Sequence, residues 1–113
     1  LRKDEIVKNI CDRLVEDELI TDYRYDHFRE DEAVPLPFAV YRRVAPQNFS
    51  ADNIAYYPGQ NVDLEVYASE PDEMVEIMES ISARLDEAEL YYRIAADTAY
   101  IDSEDMYESL YEL

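Results

Sequence analysis

Met74, Ile77, Met78, Ile81 and Leu85 recur at steps of three and four residues, with Glu73, Glu76, Glu79 and Asp86 in the gaps. Only a helix gathers such positions on one side, and that side needs another layer to cover it. The residues ahead of the stripe agree with a helix start. Ser69 supplies a hydroxyl near the cap, Pro71 fits the first turn, and Asp72 and Glu73 face the positive end of the helix dipole. A second stripe, Ile6, Val7, Ile10, Cys11, Leu14 and Val15, runs between Asp4 and Ile20, with Lys8, Asp12, Arg13, Glu16 and Asp17 opposite.

The segment between the two helices changes period. Pro35 and Pro37 forbid a helix, and Phe38-Ala-Val-Tyr-Arg-Arg-Val44 is rich in β-formers, so a first strand is expected there. A turn-rich loop with Pro46, Asn48, Asp52 and Asn53 leads to a short second strand at Ile54-Ala-Tyr-Tyr57. Pro58-Gly59 then reads as a hairpin turn into Val62, Leu64 and Val66, which alternate with Asp63, Glu65 and Tyr67 as a half-buried strand does. Leu90-Tyr-Tyr-Arg-Ile94 and Met106 to Leu113 complete the strands. Residues 21–32 mix Tyr23, Tyr25, His27 and Phe28 with charges and read as an irregular connection. The order α-β-β-β-α-β-β predicts an α+β fold: an antiparallel sheet of four to five strands with both helices on one face. At 113 residues the chain 1–113 is one domain.

Charge is the strongest compositional signal. Twenty-eight acids against ten bases give −18, and Lys3 and Lys8 are the only lysines. Such a surface repels free nucleic acid. The charge is uneven: residues 69–113 hold fourteen acids and two arginines, whereas residues 33–68 hold three acids and two arginines. A near-neutral aromatic middle between acidic flanks suits a sheet covered by solvated helices, and marks a face that meets a partner. No apolar run approaches the roughly 18 residues of a membrane span, and the start has no secretion-signal pattern. Leu1 stands where an initiator methionine is expected, so the sequence reads as trimmed at its start. The single cysteine, Cys11, reads as small core filler.

An enzyme site is hard to assemble from these residues. One glycine cannot build a phosphate-cradling loop. One histidine, His27, and one cysteine cannot fill the usual zinc ligand set. The run Asp102-Ser-Glu-Asp105 is the best candidate for a cation or an acid pair, but it lacks the spaced acids and central glycine of a calcium loop and reads as a solvated turn. No catalytic residue, cofactor or metal is therefore expected. Eleven tyrosines, many on expected strands, offer rigid surfaces with polar tips of the kind enriched in protein interfaces. Arg42 and Arg43, adjacent on a strand, point to opposite faces, each to a carboxylate of its own fold or of a neighbour. Tyr41, Arg43, Tyr56 and Tyr67 are the candidate interface residues.

Leu36-Pro-Phe-Ala-Val-Tyr41, Asn48-Phe-Ser-Ala-Asp-Asn53 with Tyr56, and Val62-Asp-Leu-Glu-Val-Tyr67 resemble a family of small neck proteins of long-tailed phages and prophages of Gram-positive hosts. The ending Tyr100-Ile-Asp-Ser-Glu-Asp-Met-Tyr107 with Leu110-Tyr-Glu112 is similar too. The resemblance implies a tail-completion or tail-terminator role in the virion neck. It implies a small α/β fold and a homo-oligomeric ring, commonly of six subunits, that caps the tail tube and joins it to the head connector. Its partners would be further copies of itself, the major tail protein and the connector proteins; DNA would pass through without specific binding, and no membrane, catalytic residue or cofactor is implied. This chain departs from the family in its few lysines and excess of acids. An acidic wall suits a DNA channel, since it prevents sticking. The alternative is an acidic DNA mimic that blocks a nucleic-acid-binding enzyme, against which the near-neutral middle counts. Adaptation to high salt and a carboxylate-based hydrolase follow.

Overall fold

The computed structural model describes residues 1–45 and 61–113. In chain order the elements are α1 (Lys3–Glu16), β1 (Asp22–Tyr25), β2 (Phe38–Val44), β3 (Asn61–Ala68), α2 (Pro71–Glu87), β4 (Arg93–Ile101) and β5 (Met106–Glu112). The five strands form one sheet in the order β1-β2-β3-β5-β4, and the fold is α+β.

Alternation along β3 organises the core. Val62, Leu64, Val66 and Ala68 are fully buried, and their odd-numbered neighbours are half-buried. Register carries this face sideways, to Ala39 and Tyr41 on β2 and to Ser109 and Tyr111 on β5. Both helices lie over it. Val7, Ile10, Cys11 and Leu14 of α1 and Met74, Ile77, Met78, Ile81 and Leu85 of α2 join β3 in one cluster, so both expected stripes are core. Tyr111 is the largest side chain fully buried there. Its hydroxyl donates to the Met78 carbonyl (3.1 Å) and meets Ser82 Oγ at 3.0 Å, which satisfies a polar tip beneath α2.

The helix ends are built without glycine. After α1, Glu18 takes φ 61°, with its N–H on the Val15 carbonyl (3.0 Å) and the Leu19 N–H on the Leu14 carbonyl (2.9 Å). After α2, Glu89 takes φ 58° and repeats the pattern, its N–H on Asp86 (3.0 Å) and that of Leu90 on Leu85 (3.1 Å). Both are Schellman closures with glutamate where glycine usually sits. At the start of α2, Pro71 and the acids behave as expected, and Glu73 accepts from the Ser69 N–H (3.1 Å) and hydroxyl (3.3 Å).

The structure corrects the strand reading at residues 22–25, at the partner of β3 and at the bounds of the fourth strand. Residues 22–25, expected to be irregular, form β1, whose Tyr23 and Tyr25 both pack on Tyr41, with ring centroids 6.1 and 5.2 Å away. The sheet is consequently mixed, because β1 runs parallel to β2, although the other pairings are antiparallel. On its β1-ward side β3 pairs with β2, from Phe38↔Tyr67 to Val44↔Asn61, and its other side is taken by β5. The expected strand Ile54–Tyr57 and the Pro58-Gly59 turn lie outside the described residues. The fourth strand is Arg93–Ile101 rather than Leu90–Ile94, with two register shifts against β5 and Thr98 at φ 53°.

Candidate docking face

With both helices on one side, the opposite face of the sheet carries Phe38, Val40 and Arg42 from β2, Asp63, Glu65 and Tyr67 from β3, and Met106, Glu108 and Leu110 from β5. Parallel pairing of β1 with β2 requires a crossover, and residues 26–37 provide it. This connector borders the open face. Phe28 stands edge-on to Phe38 at 5.0 Å, Phe38 stacks against Tyr67 at 5.2 Å, and the Arg24 guanidinium covers Phe28 at 5.1 Å. Arg24, also paired with Asp22 of its own strand (2.8 Å), ties the connector to the sheet through Glu32 (2.6 Å).

Between the connector and the β4–β5 turn lies an open groove of about 370 Å³, lined by Phe28, Phe38, Val40, Tyr67, Ile101 and Met106, with Asp26, His27, Arg42, Glu65 and Glu104 at its margin. Val40 is 6% exposed although no described helix covers it, and it lies between Arg24 and Glu65 in the register. Arg42 answers the question its sequence position poses. It holds Glu65 at 2.8 and 3.3 Å across the strand pair and Asp26 at 3.4 Å, so its partners belong to its own fold. His27 and Arg42 together hold the Asp26 carboxyl below the usual range.

Donors are scarce on this face. The Tyr67 hydroxyl lies 3.1 Å from Glu65 Oε1 and 3.0 Å from Glu108 Oε2, and its single hydrogen serves one at a time. Burial, followed by the two carboxylates, pushes its ionisation far above the ordinary tyrosine range, so it stays a donor. Asp63 lies opposite Glu112 in the register, and burial with those neighbouring charges raises its carboxyl. Arg93 takes Glu112 at 2.7 Å. Among the described residues Asp63, Glu104 and Glu108 have no cationic partner within ion-pair distance.

The three candidate interface residues that lie among the described ones, Tyr41, Arg43 and Tyr67, do not converge. Tyr41 is 7% exposed and lies in the helix-covered core, so it has no surface to offer a neighbour; alternation puts it on the side of Ala39, not of Val40. Arg43 is exposed on β2 on the opposite side from Tyr67, and its backbone N–H donates to the Tyr25 hydroxyl at 3.2 Å. Tyr56 lies outside the described residues. Of the three described, Tyr67 alone is on the open face, among residues the candidate set lacked: Phe28, Phe38, Ile101 and Met106. Their signal was present in the sequence. Phe38, Val40 and Val44 alternate against Ala39 and Tyr41, so this strand has apolar residues on both faces.

The other candidates resolve simply. Asp102–Asp105 forms the exposed turn between β4 and β5, closed by the Glu104 N–H on the Ile101 carbonyl (3.1 Å) and by the Tyr100 hydroxyl on Asp105 (2.7 Å). Cys11 is fully buried, and burial pushes its thiol up to about 12, leaving it unreactive at neutral pH. Among the described residues no group of three His, Cys, Asp or Glu side chains is placed to hold a metal ion, and no helix is long and apolar enough to cross a membrane. No family model, curated protein or solved structure matches the chain.

Proposed function

We propose that this protein is a structural subunit of a phage neck, forming a homo-oligomeric ring that terminates the tail tube and joins it to the head connector. The observation that carries the reading is the sheet face that no described helix covers, with its aromatic groove, in a chain whose strand and C-terminal segments resemble such neck proteins. A face of this kind is built for macromolecular contact, since a groove open along one side holds an extended surface better than a small molecule. The outer face of α2 supports the same reading. It carries Asp72, Glu73, Glu76, Glu79, Asp86 and Glu87, against Arg84, which is held by Asp17 at 3.0 Å. An acidic helix face in the ring would keep passing DNA from adhering.

Salt dependence of the native mass tests the proposal. Chains of charge −18 placed side by side repel over about 30 Å at 0.01 M salt, and over about 8 Å at 0.15 M. The isolated protein is expected to be mainly monomeric at low salt and to shift towards rings as salt rises, or when tail-tube ends supply a template. Light scattering after size-exclusion chromatography reads this directly. A monomer at every salt concentration, even with tail tubes present, overturns the ring. A DNA mimic would behave oppositely, binding a nucleic-acid-binding enzyme at low salt and releasing it as salt rises.

A further inference from the structure

We infer that the open-face groove docks a basic amphipathic segment of a different protein, one that places an aromatic or branched aliphatic side chain between Phe38, Tyr67 and Met106 and lysines or arginines beside Glu104 and Glu108. This deepens the docking role proposed above and rests on it, but needs no ring.

The apolar part follows from the groove's composition. Phe28, Phe38, Tyr67, Ile101 and Met106 are each half-buried, so every one of them has surface left to cover, and all border one groove of about 370 Å³. That volume exceeds one large side chain and suits two successive same-face residues of an extended segment. Met106 adapts its shape to such an insert more readily than a branched residue does.

The basic part follows from counting donors. Arg42 is committed to Glu65 and Asp26, and the one hydrogen on the Tyr67 hydroxyl is divided between Glu65 and Glu108. Glu108 is left without a full partner of its own, and Glu104 at the groove margin has no cation within reach among the described residues. A partner must bring N–H donors that these carboxylates lack, and its positive charge matches an acidic protein. A second copy of this chain is poorly equipped to bring them. Eight of its ten lysines and arginines are each within ion-pair distance of a carboxylate of the chain itself; of the other two, Lys3 opens α1 and Arg43 lies on the side of the sheet away from the groove.

Three synthetic heptapeptides test this against the ¹⁵N-labelled full chain at 0.15 M salt: lysine alternating with phenylalanine and leucine, lysine alternating with serine, and glutamate alternating with phenylalanine and leucine. The basic apolar peptide is expected to bind at least tenfold more tightly than the basic serine peptide, shifting the amides of Val40, Tyr67, Ile101 and Met106, and the acidic peptide not to bind. Met106→Ser should remove most of the margin between the two basic peptides while leaving the serine peptide's affinity unchanged, with the dispersion of its ¹⁵N spectrum showing that the variant is folded. Glu104→Gln with Glu108→Gln should weaken the basic apolar peptide roughly threefold to tenfold. Equal affinity of the two basic peptides, or shifts confined to the acidic face of α2, would mean non-specific charge attraction and overturn the groove. Shifts at the same four amides on concentrating the chain alone would identify a second copy as the occupant and overturn the proposal as stated. Because the peptides report on the groove and light scattering reports on native mass, failure of the peptides leaves the ring assay untouched, and failure of the ring leaves the peptide result standing.

Discussion

Replacing Glu89 with glycine is expected to stabilise the protein by about 1 kcal/mol, an unusual direction for a change that introduces glycine. The reasoning begins with φ 58° at Glu89, a left-handed conformation in which a Cβ crowds the following carbonyl. That crowding costs about 1–2 kcal/mol in an L-residue, whereas glycine escapes it. Against this, glycine's greater freedom in the unfolded chain costs about 0.5–1 kcal/mol. The carboxylate adds a second penalty, because it follows the last turn of α2 at the negative end of the dipole, an effect of about 0.3–1 kcal/mol at an exposed site. Glu89 is exposed, so no packing is lost. The gain corresponds to a rise in Tm of about 4 °C for a domain of this size. Urea and thermal unfolding measure it, with Glu89→Ala as the control that removes the charge and keeps the Cβ. The alanine variant should gain only a few tenths of a kcal/mol; a glycine variant no more stable than the alanine one would refute the backbone argument and leave charge alone.

Ile81→Asp is expected to cost about 3–5 kcal/mol, since it places an unpaired charge at a fully buried position of the core, and a melting curve unchanged by it would remove the α2 stripe from the core. Asp63→Asn is expected to stabilise by about 0.5 kcal/mol, the scale of a like-charged cross-strand pair. The sign follows from the raised carboxyl: the penalty exists where Asp63 is ionised, above its elevated pKa, and disappears as pH falls towards the ordinary aspartate value. Urea melts of both proteins should therefore differ at pH 7 and converge near pH 4, and a constant difference would point to a packing effect instead. Cys11 is expected to resist thiol-alkylating reagents in the native state and to react at the rate of global unfolding, as mass spectrometry of pulse-labelled samples would show; rapid native labelling would contradict its burial.

Both helices were legible in the sequence because a period of 3.6 survives over several turns, and Phe38–Val44 and Val62–Tyr67 because their β-branched and aromatic residues lie between strong breakers. Their ends were less visible. The usual punctuation is glycine, and here Glu18, Asp26, Glu89, Thr98 and Asp105 occupy the left-handed positions without a compositional trace. Edge strands were the other loss. Asp22-Tyr-Arg-Tyr25 is short and half charged, and its strand character comes from pairing with β2 and from the stack of Tyr23 and Tyr25 on Tyr41. Arg93–Ile101 contains three alanines and no clean alternation, and its pairing with β5 decides its conformation. At the docking face, Tyr67 was legible as an aromatic residue on a strand, but Tyr41 shows that a tyrosine's face depends on register. The groove itself required the crossover that brings Phe28 to Phe38, which no local pattern encodes.

The two outermost strands determine what kind of object many copies can make. At one margin β1 offers four residues, and at the other the register of β4 slips twice, with Thr98 turned into the left-handed region and its N–H donated to Ser109 Oγ at 2.8 Å. Among the described residues neither margin presents the long regular row of backbone donors and acceptors on which strand-by-strand growth depends. A chain of this design can be crowded at high local concentration with little tendency to polymerise edge to edge into fibrils. Its associations are left to side chains on faces, where geometry closes after a fixed number of copies or stops at one partner.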